Sequence, residues 1–292
     1  MITVDWSDHV SVGRFIVRNA LAEDRVKDDV TTSSLGIPDD DESTCAVSAR
    51  EECIAAGWFL VEQVFQELSI SSGWSVPKIH QQIPDGSRVF QGDTIGRLYG
   101  SADLLLRGER VALNLLCRLS GIATLTAEYV EAVKGTGVEI LDTRKTTPCL
   151  RTLEKYAVRV GGGVNHRFNL AELAMVKDNH IAVAGGAGEL HSVILRIREK
   201  GIPIEIEVDS IDQLGEVLDE KPDRILLDNM EPATLAEAVR MASGSGIYLE
   251  ASGGITLENI REVACSGVDG ISSGALTHSA ASADIGFDWG KK

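Results

Sequence analysis

Residues 138–148 read VEILDTRKTTP, an apolar run that leads directly into two adjacent cations. The first four residues are short and apolar enough to form a buried strand. Proline disfavours helical backbone in the residue before it, so the chain should stay extended to Thr147. Arg144 and Lys145 therefore stand where a buried strand ends, with Asp142 as the one acid beside them. Two interpretations are open: a site for a carboxylate or phosphate, or a strand that ends in solvent.

The same order of an apolar strand followed by polar residues recurs through the rest of the chain. Short strands alternate with helical segments beyond Lys134, which is typical of a parallel sheet, closed or open. The predicted strands are Val138–Leu141, Leu173–Val176, Ile202–Val208, Ile225–Leu227, Ile247–Leu249 and Gly270–Ile271, and helices are predicted at Ile211–Leu218 and Thr234–Met241. Charged or small polar residues follow each strand. In a β/α barrel the carboxyl ends of the strands meet at one mouth that holds the active site, so the pattern favours a barrel.

The residues before about position 100 show a different pattern of predicted helices, strands and turns. A helix is predicted over residues 9–24 and a second over Trp58–Leu68, whereas the strand Thr94–Tyr99 follows tight turns near Pro84 and Gly92. Strands joined by short turns form antiparallel sheets. We therefore expect an antiparallel sheet with one or two helices packed against it.

One long helix is predicted between these two regions. Apolar residues recur at three- and four-residue spacing from Leu104 to about Lys134, which indicates a helix with one buried face. The dipeptide Ser120-Gly121 is expected to break it into two pieces. Arg110 lies on its polar side, where a cation is usually just solvated.

The strand around residues 204–209 carries alternating acids. Period two places its isoleucines and valine on one face and three carboxylates on the other, namely Glu205, Glu207 and Asp209. If the apolar face packs against helices, the acids point into the barrel and need cations or a metal ion. Lys145, Lys177 and hydrated Mg²⁺ are candidate partners. The alternative is an edge strand with a solvated face.

Three glycine-rich segments are candidates for anion binding. The first, Gly161–Gly163, precedes His166 and Arg167, and glycine lets the backbone approach a ligand closely. The other two, Ser252-Gly253-Gly254 and Ser272-Ser273-Gly274, follow apolar strands and precede helix-like sequence. Such loops present backbone N–H groups to phosphate, and successive strand ends are the usual phosphate position in a barrel.

Composition restricts the class of partner. The formal charge is −16 over 292 residues, which argues against nucleic acid or an anionic membrane surface as a partner. The N-terminus has no pattern of a signal peptide, and no apolar run approaches the length of a spanning helix. The five cysteines form no C-x-x-C pair and suggest reduced thiols. We expect a cytoplasmic protein.

In its candidate site residues and the blocks around them, the chain resembles the quinolinate phosphoribosyltransferase family, the carboxylating nicotinate-nucleotide pyrophosphorylases. The likeness runs from about Ala20 to Asp288. The matching blocks are ERVALNLLCRLSGIAT (109–124), LDTRKTTP (141–148), KYAVRVGGGVNHR (155–167), VKDNHI (176–181), EIEVDS (205–210), LLDNM (226–230) and EASGGI (250–255).

The resemblance implies a type II phosphoribosyltransferase fold and its reaction. The fold is an incomplete β/α barrel over residues 117–275, preceded by an α/β sandwich over residues 1–116 to which residues 276–292 return. The reaction transfers phosphoribose from phosphoribosyl pyrophosphate to quinolinate with loss of CO₂. Its products are nicotinate mononucleotide, CO₂ and pyrophosphate, in NAD synthesis.

The resemblance also implies roles for particular residues. Arg110, Arg144, His166 and Arg167 would bind the two carboxylates of quinolinate, and Thr143 would also bind substrate. Lys145 and Lys177 would flank both substrates. Glu207 and Asp228 would face the ribose and Mg²⁺, directly or through water. The 5′-phosphate would lie on two loops, Ser252, Gly253 and Gly254 with Ser272, Ser273 and Gly274. The enzyme would be a homodimer, or a larger assembly, whose active sites are shared through Arg110.

Two departures and three rival functions accompany this interpretation. Cys149 stands where the family usually has glycine and Val160 where cysteine is common, and neither position is used in catalysis. The rivals are a noncarboxylating phosphoribosyltransferase of the same fold, a barrel aldolase that forms a Schiff base on Lys145 or Lys177, and a non-enzymatic phosphate-binding protein. The arginines favour the dicarboxylate substrate, because a guanidinium donates two parallel hydrogen bonds to a carboxylate.

Overall fold

The computed structural model describes residues 4–38 and 41–290. Its α-helices are α1 (His9–Glu23), α2 (Val30–Ser34), α3 (Trp58–Ser72), α4 (Ala102–Ala132), α5 (Arg151–Val160), α6 (Asp178–Ala184), α7 (Leu190–Arg198), α8 (Ile211–Leu218), α9 (Pro232–Met241), α10 (Ile260–Ala264) and α11 (Ala275–His278). Its strands are β1 (Glu42–Ala49), β2 (Cys53–Ile54), β3 (Lys78–Gln81), β4 (Arg88–Val89), β5 (Thr94–Ser101), β6 (Glu139–Leu141), β7 (Ala174–Val176), β8 (Ile204–Val208), β9 (Arg224–Asp228), β10 (Tyr248–Ser252), β11 (Gly270–Ser272) and β12 (Ile285–Trp289). Within the described ranges, the chain has no helix that combines the length and apolarity needed to cross a bilayer.

The chain divides into two compact units. The first comprises Met1–Ala127, Thr146–Gly162 and Thr277–Lys292, and the second comprises Glu128–Lys145 and Gly163–Leu276. This division differs from the predicted boundary after residue 116, because most of α4 and all of α5 belong to the first unit. Aromatic packing explains the position of α5: the ring of Tyr156 stacks on His9, with centroids 4.7 Å apart.

The first unit contains the predicted antiparallel sheet. The strand order is β12-β1-β5-β3, and every neighbouring pair is antiparallel. Gly57 occupies the N-cap position of helix α3 and has no side chain to cap the helix. The carboxylate of Asp85 instead accepts the amide hydrogen of Gly57 at 2.6 Å and the hydroxyl hydrogen of Tyr156 at 2.7 Å. One acid therefore provides the N-terminal cap of α3 and attaches α5 to it.

The long helix α4 is continuous, so the predicted break at Ser120-Gly121 is wrong. The Ser120 hydroxyl accepts the amide hydrogen of Ala56 at 3.0 Å. A Cβ atom on Gly121 would lie 1.8 Å from the carbonyl oxygen of Ala281. Both residues thus serve close packing against other segments of the first unit, and the helix tolerates the modest cost of one glycine.

The second unit contains the predicted parallel sheet. Its strand order is β7-β8-β9-β10-β11-β6, and each neighbouring pair is parallel. All six predicted strands are present, with ends that differ by at most three residues. No ladder joins β6 to β7 within residues 4–38 and 41–290, which leaves the β/α barrel incomplete, as predicted. Val164 forms a single parallel bridge to Leu141 on the β6 side of this gap.

Candidate active site

A cavity of about 590 Å³ opens at the carboxyl ends of the parallel strands. Every strand of the sheet, or the loop after it, contributes to its wall. The lining residues are Asp142, Thr143, Arg144, Lys145, His166, Arg167, Met175, Lys177, Glu207, Leu226, Asp228, Asn229, Glu250, Ser252, Gly253, Gly254 and Ser272. Most of the side chains that the sequence assigned to a site therefore line one cavity.

Strand register explains why distant parts of the sequence meet here. Ser252 on β10 is paired with Asp228 on β9 and with Ser272 on β11. Ser272 is paired in turn with Leu141, the last residue of β6. Because parallel neighbours end at the same edge of a sheet, residues that end or directly follow their strands lie side by side.

Cations dominate one part of the wall. Arg144, Lys145, Arg167 and Lys177 all line the cavity. The pKa of Arg167 is lowered, first by burial and then by the positive charge of Arg144. The ammonium group of Lys177 forms an ion pair with the carboxylate of Glu207. Two guanidinium groups close enough to repel each other form a favourable environment for a dianion.

The loop after β10 requires glycine. Gly253 has φ of +91°, and a Cβ atom there would lie 2.2 Å from Oδ1 of Asn229 and 3.0 Å from its backbone nitrogen. The amide of Asn229 donates to the carbonyl oxygen of Ser252 at 2.8 Å, which fixes the two loops against each other. Gly254 also has a positive φ, +62°, but a Cβ atom there would have no heavy atom within 4 Å. Backbone can thus approach a ligand closely at this wall.

The helices after the two small-residue loops are shorter or later than the sequence suggested. Helix α10 begins at Ile260, six residues after Gly254, and α11 is four residues long. A phosphate at this position would accordingly rely on loop amides and hydroxyls more than on a helix dipole.

His166 is surrounded by two buried carboxylates. Its Nε2 atom lies 3.1 Å from Oε2 of Glu205 and 3.3 Å from Oε2 of Glu250. Both acids are 0% exposed. Burial alone would lower the pKa of His166, but the hydrogen bonds and charges of Glu205 and Glu250 outweigh it and raise the pKa. Burial in turn raises the pKa of Glu205, an effect that the contact with His166 opposes.

Asp142 fixes the segment that follows the glycine run. Its fully buried carboxylate accepts the backbone amide hydrogen of His166 at 2.9 Å and a side-chain amide hydrogen of Asn165 at 2.6 Å. These bonds hold the strand-like segment after the glycine run against the end of β6. Asp142 thus positions the backbone of His166 in the cavity wall.

Some of the candidate residues do not line the cavity. Ser273 is buried, and its amide donates to the carbonyl oxygen of Leu141, while Gly274 follows it towards α11. Asp209 is exposed beyond the end of β8, so it does not share the inward face with Glu205 and Glu207. Arg110 is exposed on α4 in the first unit.

Glu250 is a buried acid of the site that sequence reasoning missed. It lies two residues before Ser252 on β10, and period two puts both side chains on the same face of the strand. The alternation that identified the acids of β8 would have found it. Met175, Leu226 and Asn229 also line the cavity without having been predicted.

A barrel mouth that combines cations, acids and glycine-rich loops defines the class of protein: an enzyme whose substrates are small, phosphorylated and carboxylated. Comparison with known proteins identifies the family. Residues 29–120 match the N-terminal domain of quinolinate phosphoribosyl transferase, and residues 122–288 match its C-terminal domain. The chain belongs to the quinolinate phosphoribosyltransferase family, as the sequence blocks predicted.

Individual relatives agree with this assignment. The chain is 42% identical over 278 residues to the nicotinate-nucleotide pyrophosphorylase [carboxylating] of Mycobacterium leprae, covering 94% of this chain and 96% of that protein. The solved structure of the nicotinate-nucleotide pyrophosphorylase from Francisella tularensis is 32% identical and has a TM-score of 0.89, covering 99% of this chain and 100% of that one. The corresponding structure from Ehrlichia chaffeensis is 38% identical, with a TM-score of 0.86 and coverage of 94% and 97%. The predicted fold class is therefore confirmed.

Proposed function

We propose that the protein transfers phosphoribose from phosphoribosyl pyrophosphate to quinolinate with loss of CO₂, giving nicotinate mononucleotide and pyrophosphate in NAD synthesis. The observation that carries the proposal is that Arg144 and Arg167 line the same cavity, where burial and then the positive charge of Arg144 lower the pKa of Arg167. Two adjacent carboxylates on one ring would relieve that repulsion. A substrate with a single carboxylate would leave part of it uncompensated.

The other side chains support the two halves of the reaction. The pyridine nitrogen attacks C1 of the ribose while the bond to pyrophosphate breaks, so positive charge develops on the sugar. Glu207 and Asp228 line the cavity, and their negative charge would stabilise it. Loss of CO₂ then leaves an electron pair on the ring carbon next to the positively charged nitrogen, and that carbon takes up a proton. Lys145 and Lys177 are cations of the same wall that would attract both anionic substrates.

The residues present also fit Mg²⁺. The ion prefers oxygen ligands and usually binds through one or two carboxylates together with substrate phosphates, and Glu207 and Asp228 offer such oxygens at the cavity wall. We propose that they hold Mg²⁺ directly or through water. The ion would neutralise charge on the departing pyrophosphate.

Phosphate would bind at the carboxyl ends of β10 and β11. Ser252, Gly253, Gly254 and Ser272 line the cavity there, and the positive φ values of the glycines leave room for a ligand against the backbone. Ser273 and Gly274 belong to the same predicted loop and would hold Ser272 in place, since the amide of Ser273 donates to the carbonyl oxygen of Leu141. Thr143 lines the cavity beside Arg144, and the ring of His166 completes the wall near Arg167.

A direct assay of CO₂ release tests the proposal. Quinolinate labelled in the 2-carboxylate is incubated with phosphoribosyl pyrophosphate and Mg²⁺, and labelled CO₂ and nicotinate mononucleotide should appear in equal amounts. Nicotinate in place of quinolinate is the matched control, since turnover of nicotinate would instead identify the noncarboxylating rival. Activity should disappear with a chelator and return with Mg²⁺.

The aldolase rival makes a different prediction. A Schiff base needs a neutral amine, whereas the amine of Lys177 contacts the carboxylate of Glu207 as an ion pair. Borohydride should therefore trap no substrate on either lysine of the wall. A stable adduct on Lys145 or Lys177 would refute the phosphoribosyl transfer mechanism.

We also propose that the enzyme is a homodimer, or a larger assembly, with shared sites, and that it acts in the cytoplasm. The exposure of Arg110 on α4 supports the first statement, because an exposed cation can reach a neighbouring subunit. The five free cysteines support the second, since thiols stay reduced in the cytoplasm. In a two-fold dimer both sites would be built in the same way.

Subunit mixing tests the shared site. Inactive Arg110→Ala protein is exchanged with inactive Lys177→Ala protein, so that in a mixed dimer one site collects both changes and the other is intact. About half of the dimers are mixed after random exchange, and roughly a quarter of the wild-type sites should return by this symmetry. Demonstrated exchange without recovered activity would show that Arg110 does not act in a neighbouring site.

A further inference from the structure

A polar layer lies one step below the mouth of the barrel. Glu205 precedes Glu207 by two residues on β8, and Glu250 precedes Ser252 by two residues on β10. Period two therefore gives each buried acid the same inward direction as a residue of the cavity wall above it. His166 joins the two acids through its Nε2 atom, at 3.1 Å from Glu205 and 3.3 Å from Glu250.

The second nitrogen of the ring is also engaged. The backbone amide of Arg167 donates to Nδ1 of His166, with 2.7 Å between the nitrogens. Nδ1 must carry a lone pair to accept this bond, so the proton of a neutral ring belongs on Nε2, facing the acids. A second ring proton would lie on Nδ1, against the hydrogen of the Arg167 amide. This contact opposes the rise in the pKa of His166 that the two carboxylates cause, and it favours the ring that is protonated on Nε2 alone.

The same bond argues against a metal ion, although one histidine and two acids form a group of the kind that binds metals. A histidine that binds a metal through Nε2 usually donates its Nδ1–H to an acceptor. Here Nδ1 faces the amide donor of Arg167. The guanidinium of Arg224 lies 3.9 Å from Oε2 of Glu250 and further disfavours a second cation. The three side chains are therefore arranged around the hydrogen on Nε2 of His166, which faces both carboxylates.

We propose that Glu205 and Glu250 are positioning residues: they fix His166 in the tautomer protonated on Nε2, and through its Nδ1 they hold Arg167 in place to bind a carboxylate. The side chain of Arg167 is held at its guanidinium end, where Nη1 donates to the carbonyl oxygen of Leu173 at 2.8 Å. The backbone of His166 is fixed separately by Asp142. The two acids thus fix the tautomer and orientation of the His166 ring, and Nδ1 of the ring fixes the position of the Arg167 amide.

Nuclear magnetic resonance tests the tautomer without any substrate. The full-length protein is labelled with ¹⁵N-histidine, and the signals of His166 are assigned by their loss in His166→Asn. In the wild type at pH 7 we expect Nε2 to carry the proton and Nδ1 to be bare. A ring protonated on Nδ1, on both nitrogens, or bound to a stoichiometric metal ion would overturn the proposal.

Kinetics test the consequence, and this part rests on the proposed function. Glu205→Gln and Glu250→Gln keep the shape of the side chain but remove the charge that selects the tautomer. Each should populate the Nδ1-protonated ring and raise the KM for quinolinate about ten- to a hundredfold, with the KM for phosphoribosyl pyrophosphate changed less than about twofold. Equal changes in both KM values, or a loss of kcat alone, would mark these acids as general structural residues and overturn the proposal.

A matched control is present on the surface. Nδ1 of His191 lies 3.0 Å from Oε2 of Glu220, and the side chain of His191 is 65% exposed. Glu220→Gln should change neither the His166 signals nor either KM. If quinolinate is not a substrate, the kinetic part fails for every variant while the tautomer of the wild type still decides the positioning proposal. The two failures are therefore distinguishable.

Discussion

Replacing Gly253 by alanine should damage both stability and phosphate binding. A Cβ atom there would overlap Oδ1 of Asn229 at 2.2 Å and press on its backbone nitrogen at 3.0 Å. The backbone nitrogen cannot move freely, because it donates to the carbonyl oxygen of Ser252. The substitution also forces alanine into the left-handed region at φ of +91°.

The neighbouring glycine separates these two costs. Gly254→Ala meets only the conformational cost, about 1–2 kcal/mol, since no heavy atom lies within 4 Å of the new methyl group. Gly253→Ala adds the overlap, which for overpacking is typically about 1–3 kcal/mol. We therefore expect Gly253→Ala to destabilise by about 2–5 kcal/mol and Gly254→Ala by about 1–2 kcal/mol.

Urea denaturation of the two variants, followed by far-ultraviolet circular dichroism, measures the difference. Binding of phosphoribosyl pyrophosphate should weaken more in Gly253→Ala, because relief of the overlap moves the loop that lines the cavity. Equal losses of stability in the two variants would refute the steric part of the reasoning. Normal ligand binding by Gly253→Ala would refute a phosphate site at this loop.

Three further predictions concern the first unit and the segment after β6. Cys149 has φ of +64°, so Cys149→Gly should stabilise the protein by about 0.5–1 kcal/mol in urea, whereas Cys265→Gly, at φ of −72°, should destabilise it. Glu154 is fully buried and binds Arg118 at 2.9 Å, so Glu154→Gln should cost about 3 kcal/mol in the same measurement, and an unchanged midpoint would contradict the ion pair. Burial, followed by the charge of Glu109, raises the pKa of Cys45 from 9.0 to about 12. A raised thiol pKa gives stability that is complete below the unfolded pKa and is lost as pH rises towards the folded one. Between pH 8 and pH 10 the wild type should therefore lose about 1.4 kcal/mol more than Cys45→Ala, as measured by urea denaturation at both pH values.

The sequence predicted the parallel sheet and most of the site because both depend on short-range patterns. Apolar runs identify the buried strands, and the residues directly after them must lie at the barrel mouth. Arg144, Lys177, Asp228 and Ser252 were found in this way, and all four line the cavity. The family blocks then supplied the reaction, which periodicity alone did not reach.

The wrong or missing predictions involve contacts between residues far apart in sequence. The carboxylate of Asp142 accepts hydrogen bonds from Asn165 and His166, which lie more than twenty residues later in the chain. Gly121 looks like a helix breaker until the carbonyl of Ala281 is placed against it. Neither partner can be read from the local sequence, since each contact is created by tertiary packing.

Cys149 illustrates a departure from the family that the backbone explains. The family usually has glycine there, and the structure gives the position a φ of +64°, a region that glycine adopts without steric cost. The cysteine is exposed and lies just after Pro148, so the strain is local and its side chain displaces nothing buried. Substitution of glycine at this position is thus tolerated at a modest cost in stability.

The three alternating acids Glu205, Glu207 and Asp209 show why one sequence pattern yielded three different environments. Alternate residues of a strand are about 6–7 Å apart along its axis, roughly the depth of one layer of side chains. Glu207 therefore reaches the cavity and pairs with Lys177, whereas Glu205 lies one layer deeper and must pair with His166. Asp209 falls beyond the last residue of the strand and is exposed to water. A buried acid is stable only where a proton or a cation meets it, so the depth of each acid determines its partner, and the partner determines its role.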